Sequence, residues 1–466
     1  MKKIKSILST VLSVLLIFTL SACNVPKPSN SPRLKHPLFI EYDQAIVKEM
    51  KGCFDFLWDN TNIDKDSPGY GLILDNNDDN TGNPRNVRAS IASVGFALAG
   101  IPIGVEKGWI TYNQGYERVM GTLKTMEKLE RVNGFWFHFI DWNTGLRSNF
   151  ETTEASIIDS AIMIFGALIA GQYFGDETSL KAHQLYADIN WKWYTAQNPS
   201  MNNSLQFRMG YRPNTVGFSG WWNRYSEQLM MYFLAAGAPN SDFRMGKELY
   251  DGFSREFYEG YPNKDSKPFY YNSFGKLFIH QYSHAFIDFR DIIDADGVDW
   301  FENSVRASKA AYQYAVDKKN ETKNLHELSW GLTACSTMLG YSGLIGSEPR
   351  AITPNIGHKD YANYQIVKYT VAPSAALGSM PFTPDLSISA LTYFQSLSSL
   401  NGKYGLFDAY DLDHDWYHNR YIGIDKGITL LMLSNFEDGL IWELSSQLSI
   451  VKEAIERLGF TYKTNL

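Results

Sequence analysis

Four acids in this sequence stand where long apolar stretches begin. Glu154 stands before ASIIDSAIMIFGALIAG, Glu227 before QLMMYFLAAG, Asp385 before LSISALTYF, and Asp425 in IDKGITLLMLSN; Asp159 lies five residues after Glu154. Paired carboxyl groups can divide the work of general acid and general base between them. An acid beside a helix N-terminus is held ionised, which favours a base and hinders an acid; a proton donor needs burial instead. Trp221, Trp222 and Tyr225 offer Glu227 such an apolar wall, with Arg224 opposing it. Any one of these acids could instead be an ordinary helix cap. Their shared placement raises a second reading, in which they converge at one mouth of a helical assembly. On ideal geometry Glu154 and Asp159 would point about 140° apart around one helix.

A second run, HQYSHAFIDFRDIIDADGVDW from His280 to Trp300, threads charge through aromatic residues. The EF-hand loop does not fit it. With Gly297 at the sixth position, Ile292 and Asn303 occupy the first and twelfth, where acids are needed. The loops from Asp75 and Asp411 also lack the required sixth and twelfth residues, and His280 and His284 lie outside any HExxH motif. Neither a metal nor a cofactor is expected. Rings and planar polar groups side by side suit sugar binding. Tyr282, His284, Arg290 and His280 are therefore substrate-binding candidates, with Asp425, Trp221, Trp222 and Asp141. The later aspartates, Asp294, Asp296 and Asp299, read as turns and caps.

Positioning these groups falls to helices of two kinds. EYDQAIVKEMKGCFDFLWDN, YNQGYERVMGTLKTMEKLERV and DETSLKAHQLYADINWKWYTAQ alternate as amphipathic helices. ASIASVGFALAGIPIGV, ASIIDSAIMIFGALIAG, SEQLMMYFLAAG, LHELSWGLTACSTMLGY and DKGITLLMLSN have almost no polar face, so they must be buried all round. Roughly a dozen helices in two layers imply an all-α (α/α)6 barrel, the architecture expected here. KPFYYNSF, KLFIHQYS and YQIVKYTV read as short strands in hairpins at one end.

The ends and composition bound the setting. MKKIKS, an apolar run and LSAC ending at Cys23 have the form of a lipoprotein signal over residues 1–22. Cys23 is the expected lipidation site and membrane anchor, residues 23–35 a Pro/Ser/Asn-rich tether, and residues 36–466 one domain outside the cytoplasmic membrane. The formal net charge is −7, which disfavours nucleic acid as a partner. Cys53 and Cys335, the two cysteines beyond Cys23, make no disulfide framework. A monomer acting on an oligo- or polysaccharide is expected.

HQYSHAFIDFRD, NSVRAS, WGLTACS, VAPSAALGSMPFTPDLSISAL, YGLFDAYDL, YIGIDKG and GLIWEL occur in this order. Together they resemble the bacterial glucoamylase-like family, which includes the β-1,2-glucanases of glycoside hydrolase family 144. The resemblance runs from about Phe54 to Phe460. It implies an (α/α)6 barrel and inverting hydrolysis of β-1,2-glucan, with Glu154, Asp159 and Glu227 as the catalytic acids. Glu227 would then protonate the leaving oxygen and Glu154 activate water, with Asp159 and Asp425 positioning sugar or water. His280, Tyr282, His284 and Arg290 would belong to the substrate-facing wall. The sequence departs from the family pattern at Lys426, Ile428, Ser336 and Asn76. Those departures keep two rival readings open: a glycan-binding lipoprotein without activity, and a glucan chain transferase.

Overall fold

A computed structural model describes residues 33–78, 87–259, 267–272, 275–348 and 360–463. Its main helices, in chain order, are α1 (Asp43–Asp59), α2 (Ile91–Glu106), α3 (Tyr112–Lys128), α4 (Ile157–Phe174), α5 (Asp176–Ala187) and α6 (Leu229–Gly237). There follow α7 (Tyr282–Phe286), α8 (Trp300–Lys318), α9 (Pro373–Leu377), α10 (Pro384–Ser396), α11 (Gly423–Glu437), α12 (Leu440–Gln447) and α13 (Ser449–Leu458). The apolar helices α2, α4, α6, α7, α9 and α11 form the inner ring. Next to α7, the Gln281 amide donates to the Ala375 carbonyl of α9 at 2.7 Å. The amphipathic helices α1, α3, α5, α8, α10 and the α12–α13 pair make the outer layer. This is the (α/α)6 barrel expected from the sequence.

Burial explains the division. Fourteen of the sixteen residues of α2 are buried, and only three residues of α4 are not. The two helices touch backbone to backbone: a Cβ at Gly166 would lie 1.9 Å from the Gly95 carbonyl oxygen. Any side chain there would push the ring apart. Outer helices keep a wet face and conventional ends, as in the Thr111–Gln114 capping box that opens α3.

Short strands collect at the N-terminal ends of the inner helices. They are β1 (Asn76–Asp78), β2 (Arg88–Ser90), β3 (Phe139–Asp141), β4 (Ala155–Ser156), β5 (Gly210–Arg212), β6 (Gly217–Ser219), β7 (Cys335–Thr337), β8 (Gly340–Ser342) and β9 (Arg420–Ile422). All pair antiparallel: β1 with β9, β2 with β3, β5 with both β4 and β6, and β7 with β8. Strands β2, β4 and β9 run directly into α2, α4 and α11, fixing where those helices begin.

Three local expectations fail. KLFIHQYS is a 3-10 turn over Leu277–His280 leading into α7, and YQIVKYTV holds a helix over Tyr361–Val367. LHELSWGLTACSTMLGY contains no helix; it leads into the β7–β8 hairpin. Gly331 has φ +120° and Gly340 φ +108°, backbone that a right-handed helix cannot contain. KPFYYNSF does supply a strand, Phe269–Tyr271. Cys53 and Cys335 are buried free thiols, and Cys23 lies outside the described residues.

Candidate active site

The N-terminal ends of the inner helices open on a cavity of about 600 Å³, within the range of roughly 300–1,000 Å³ usual for small-ligand pockets. Asp159 of α4, Glu227 two residues before α6, Tyr282 of α7 and Asp425 of α11 all border it. So do Asp75, Asn76 and Arg88 from the strands around β1 and β2, Lys276 and Phe278 before α7, Tyr341 of β8, and His418 and Arg420 near β9. The convergence read from the apolar helices therefore holds for Glu227 and Asp425, and Asp159 joins them at the cavity. It fails for Asp385, an exposed first-turn acid of α10.

Environment separates the acids. Burial raises the Glu227 carboxyl above its ordinary value, against the opposing Ser226 hydroxyl, its own backbone N–H and the Lys276 charge. The N-cap position of α6 is Gln228, which makes no side-chain cap bond, so Glu227 is not the capping residue. Asp425 is raised further, first by burial and then by Asp408, with which it is hydrogen-bonded; Ser374 and Lys426 pull the other way. Two carboxyls in hydrogen-bond contact hold a proton between them. The Tyr282 phenol lies in the field of Asp425, Glu227 and Asp159, and burial first, then those charges, keep it protonated.

Glu154 is corrected by its surroundings. It precedes β4 and is not on α4, so the 140° argument does not apply. Nor does it border the cavity. Arg212 Nη2 lies 2.8 Å from Glu154 Oε2, and His138 bridges Glu154 Oε1 at 3.8 Å and Asp159 Oδ1 at 3.5 Å. Burial pushes the Glu154 carboxyl up, but His138, its own backbone N–H and Arg212 outweigh it and hold it below the ordinary value. Such a group is a weak base. The same two carboxylates outweigh burial at His138 and favour its imidazolium. Asp159 also takes a 2.5 Å hydrogen bond from the Ser156 hydroxyl, the N-cap of α4.

Most of the wall read from the His280–Trp300 run lies elsewhere. His280 and His284 are 4% and 1% exposed. His280 Nδ1 is 3.2 Å from the Tyr225 hydroxyl and His284 Nε2 is 2.9 Å from the Ser304 hydroxyl. Burial lowers both to about 3, so they are neutral core histidines. Arg290 grips Asp288 at 2.7 Å over the Trp442 ring, away from the cavity. Trp222 is a core residue, and Trp221 stacks under Arg208 at 4.1 Å without bordering the cavity. Asp141 caps a turn, accepting from the N–H groups of Asn143 and Thr144. Tyr282 alone of that run's candidates reaches the site. Sequence reading missed Arg88, His138, Lys276, Tyr341, Asp408, His418 and Arg420. Arg88 is ion-paired to Asp75 at 3.0 Å and Arg420 to Asp78 at 2.9 Å, so the cavity rim carries fixed donors and acceptors.

Known proteins share this architecture. A curated relative, the exo β-1,2-glucooligosaccharide sophorohydrolase (non-reducing end) of Parabacteroides distasonis, is 24% identical over 89% of this chain, which spans 58% of the relative's length. The endo-β-1,2-glucanase of Chitinophaga pinensis, solved with sophorotriose and glucose, superposes with a TM-score of 0.74 at 24% identity, covering 90% of this chain and 98% of that one. A β-1,2-glucanase of Parabacteroides distasonis superposes at 0.75 with 23% identity, over 90% of this chain and 60% of that one. The family model "Glycoamylase", described as "Putative glucoamylase", matches residues 220–449. That segment, which carries Glu227, Tyr282, Asp408 and Asp425, matches the glucoamylase-like family, and the chain as a whole has the (α/α)6-barrel fold.

Proposed function

We propose that this protein is an inverting glycoside hydrolase acting on β-1,2-linked glucan or its oligosaccharides. One observation carries the reading. A buried Glu227 with a raised pKa and Asp425, backed by Asp408, border the same sugar-sized cavity. The named activities of the relatives supply the substrate class. Glu227 gives its proton to the leaving glycosidic oxygen. Asp425 takes a proton from the attacking water, because burial and then the neighbouring Asp408 carboxyl raise its affinity for one. Inversion needs these carboxyls about 6.5–9.5 Å apart, with the water between. Asp159, held by Ser156 and His138, orients sugar or water, and Glu154 acts only through His138. Tyr341, Phe278 and Phe139 offer rings to sugar faces, and Arg88 and Arg420 donate to hydroxyls. In the same reading the protein is a monomer, extracytoplasmic and anchored to the cell membrane by lipid on Cys23.

A panel of glucans of defined linkage tests this. Shorter oligosaccharides with new reducing ends are expected from β-1,2-glucan and not from β-1,3-, β-1,4- or α-1,4-glucans. Tight binding of β-1,2-glucan without new ends would favour a capture protein, and longer or cyclic products a chain transferase.

A further inference from the structure

Asp408 sits behind Asp425, 5% exposed, and does not border the cavity. Its Oδ2 accepts the Ser336 N–H at 2.8 Å, and among the described residues Oδ1 has no hydrogen-bond donor. On its far side the buried Nδ1 of His418 lies 3.9 Å from Oδ2 and has no hydrogen-bond partner. His418 itself borders the same cavity as Asp425. Its ring stacks on Trp416 with centroids 5.4 Å apart, and its backbone N–H is tied to the Ala409 carbonyl at 3.0 Å. A buried carboxyl with an unpartnered Oδ1 thus lies between Asp425 and the unpartnered Nδ1 of His418. Unpaired buried polar atoms are costly, and a partner that shuttles protons explains both.

We propose that Asp408 and His418 are a proton relay that empties Asp425 after each turnover. The proposal rests on the hydrolase reading of the cavity. The carboxyl pair shares one proton, and the reactive form is the one in which Asp425 is the carboxylate. As the glycosidic bond breaks, water's oxygen bonds to the anomeric carbon and its proton goes to Asp425, while Glu227 protonates the leaving oxygen. Asp408 then gives its proton to Nδ1 of His418 and takes the one on Asp425. The imidazolium releases a proton to cavity water, from which Glu227 is reloaded, so no net proton is gained or lost. The 3.9 Å gap closes with a shift of about 1 Å to hydrogen-bond distance, as expected of catalytic contacts that tighten on substrate binding.

The charges around the relay are fixed by its neighbours. Lys426 on α11 and Glu49 on α1 lie behind Asp425, and Asp78 on β1 and Arg420 on β9 flank His418. The phenols of Tyr282 and Tyr341 and the Cys335 thiol also feel the Asp425 charge, and burial keeps all three protonated.

His418→Ala is the direct test. We expect kcat on β-1,2-glucan to fall about tenfold or more with KM unchanged, and free imidazole in the buffer to restore much of it. Asp408→Asn, which keeps an acceptor for the Ser336 N–H, should move the acid limb of kcat/KM to lower pH, because Asp425 loses the neighbour that raises it. Unchanged kcat in His418→Ala would overturn the relay. So would a loss that imidazole does not repair, or a rise in KM alone, either of which would make His418 a structural or sugar-binding residue. A wild-type protein that leaves β-1,2-glucan uncut would instead sink the hydrolase reading beneath it.

Discussion

Glu227→Gln is expected to lower kcat on β-1,2-glucan by about 10²–10⁴-fold, the usual contribution of a general acid, with little change in KM. The amide keeps the shape of the side chain and can still accept the Ser226 hydroxyl that contacts Oε2. It has no proton to give. The pH profile should change with it. Wild-type activity falls as pH rises through the raised Glu227 pKa, and the variant loses that basic limb. Stability should move the other way. A carboxyl raised by folding binds its proton more tightly in the native state, so it costs stability as pH climbs from its unfolded value through its folded one. At neutral pH the Gln variant should therefore be at least as stable as the wild type in chemical denaturation. Near-normal turnover would remove Glu227 from the acid role.

Lys426→Met is expected to be the most damaging substitution for stability. Lys426 and Glu49 are 5% and 2% exposed and meet at 2.9 Å. Glu49 Oε2 also accepts the Leu406 N–H at 3.0 Å. Breaking such a pair from one side strands a buried charge, at a cost of about 3–5 kcal/mol. Adding Glu49→Gln removes the stranded charge, keeps the Leu406 acceptor, and should recover most of the loss. Urea melts of the two single variants and the double give the coupling directly. A cost below about 1 kcal/mol for Lys426→Met would mean that Glu49 is already neutral or hydrated.

How far the sequence could be read follows from what each element must bury. ASIIDSAIMIFGALIAG and ASIASVGFALAGIPIGV have no face to give to water, so their place in an inner ring was forced. Once they are inner helices, acids near their N-termini fall at one mouth, which found Glu227 and Asp425, while Asp159 entered through the family resemblance. Tyr282, read as a stacking ring in the HQYSH run, does lie at the mouth because it is the first residue of α7. His284 and Arg290 follow it along and beyond a helix that runs away from the mouth, so their chemistry points into the core and the far side. Spacing alone does not reveal that direction. Tyr341, Arg88 and Arg420 sit on strands of three residues, too short to carry a period-two signal. Asp408 lay in the quoted YGLFDAYDL motif, and what hid its role was the lack of any local sign that it would back onto Asp425. Glu154 illustrates the opposite error, since an acid near an apolar helix was taken to lie on it.

The most direct test of the central claim is the anomeric form of the first product. Proton NMR recorded in the first moments of β-1,2-glucan cleavage, before mutarotation, should show the α-anomer at the new reducing end, the product of one inverting displacement across Glu227 and Asp425. The β-anomer appearing first would require a covalent intermediate and two displacements, and would contradict the account.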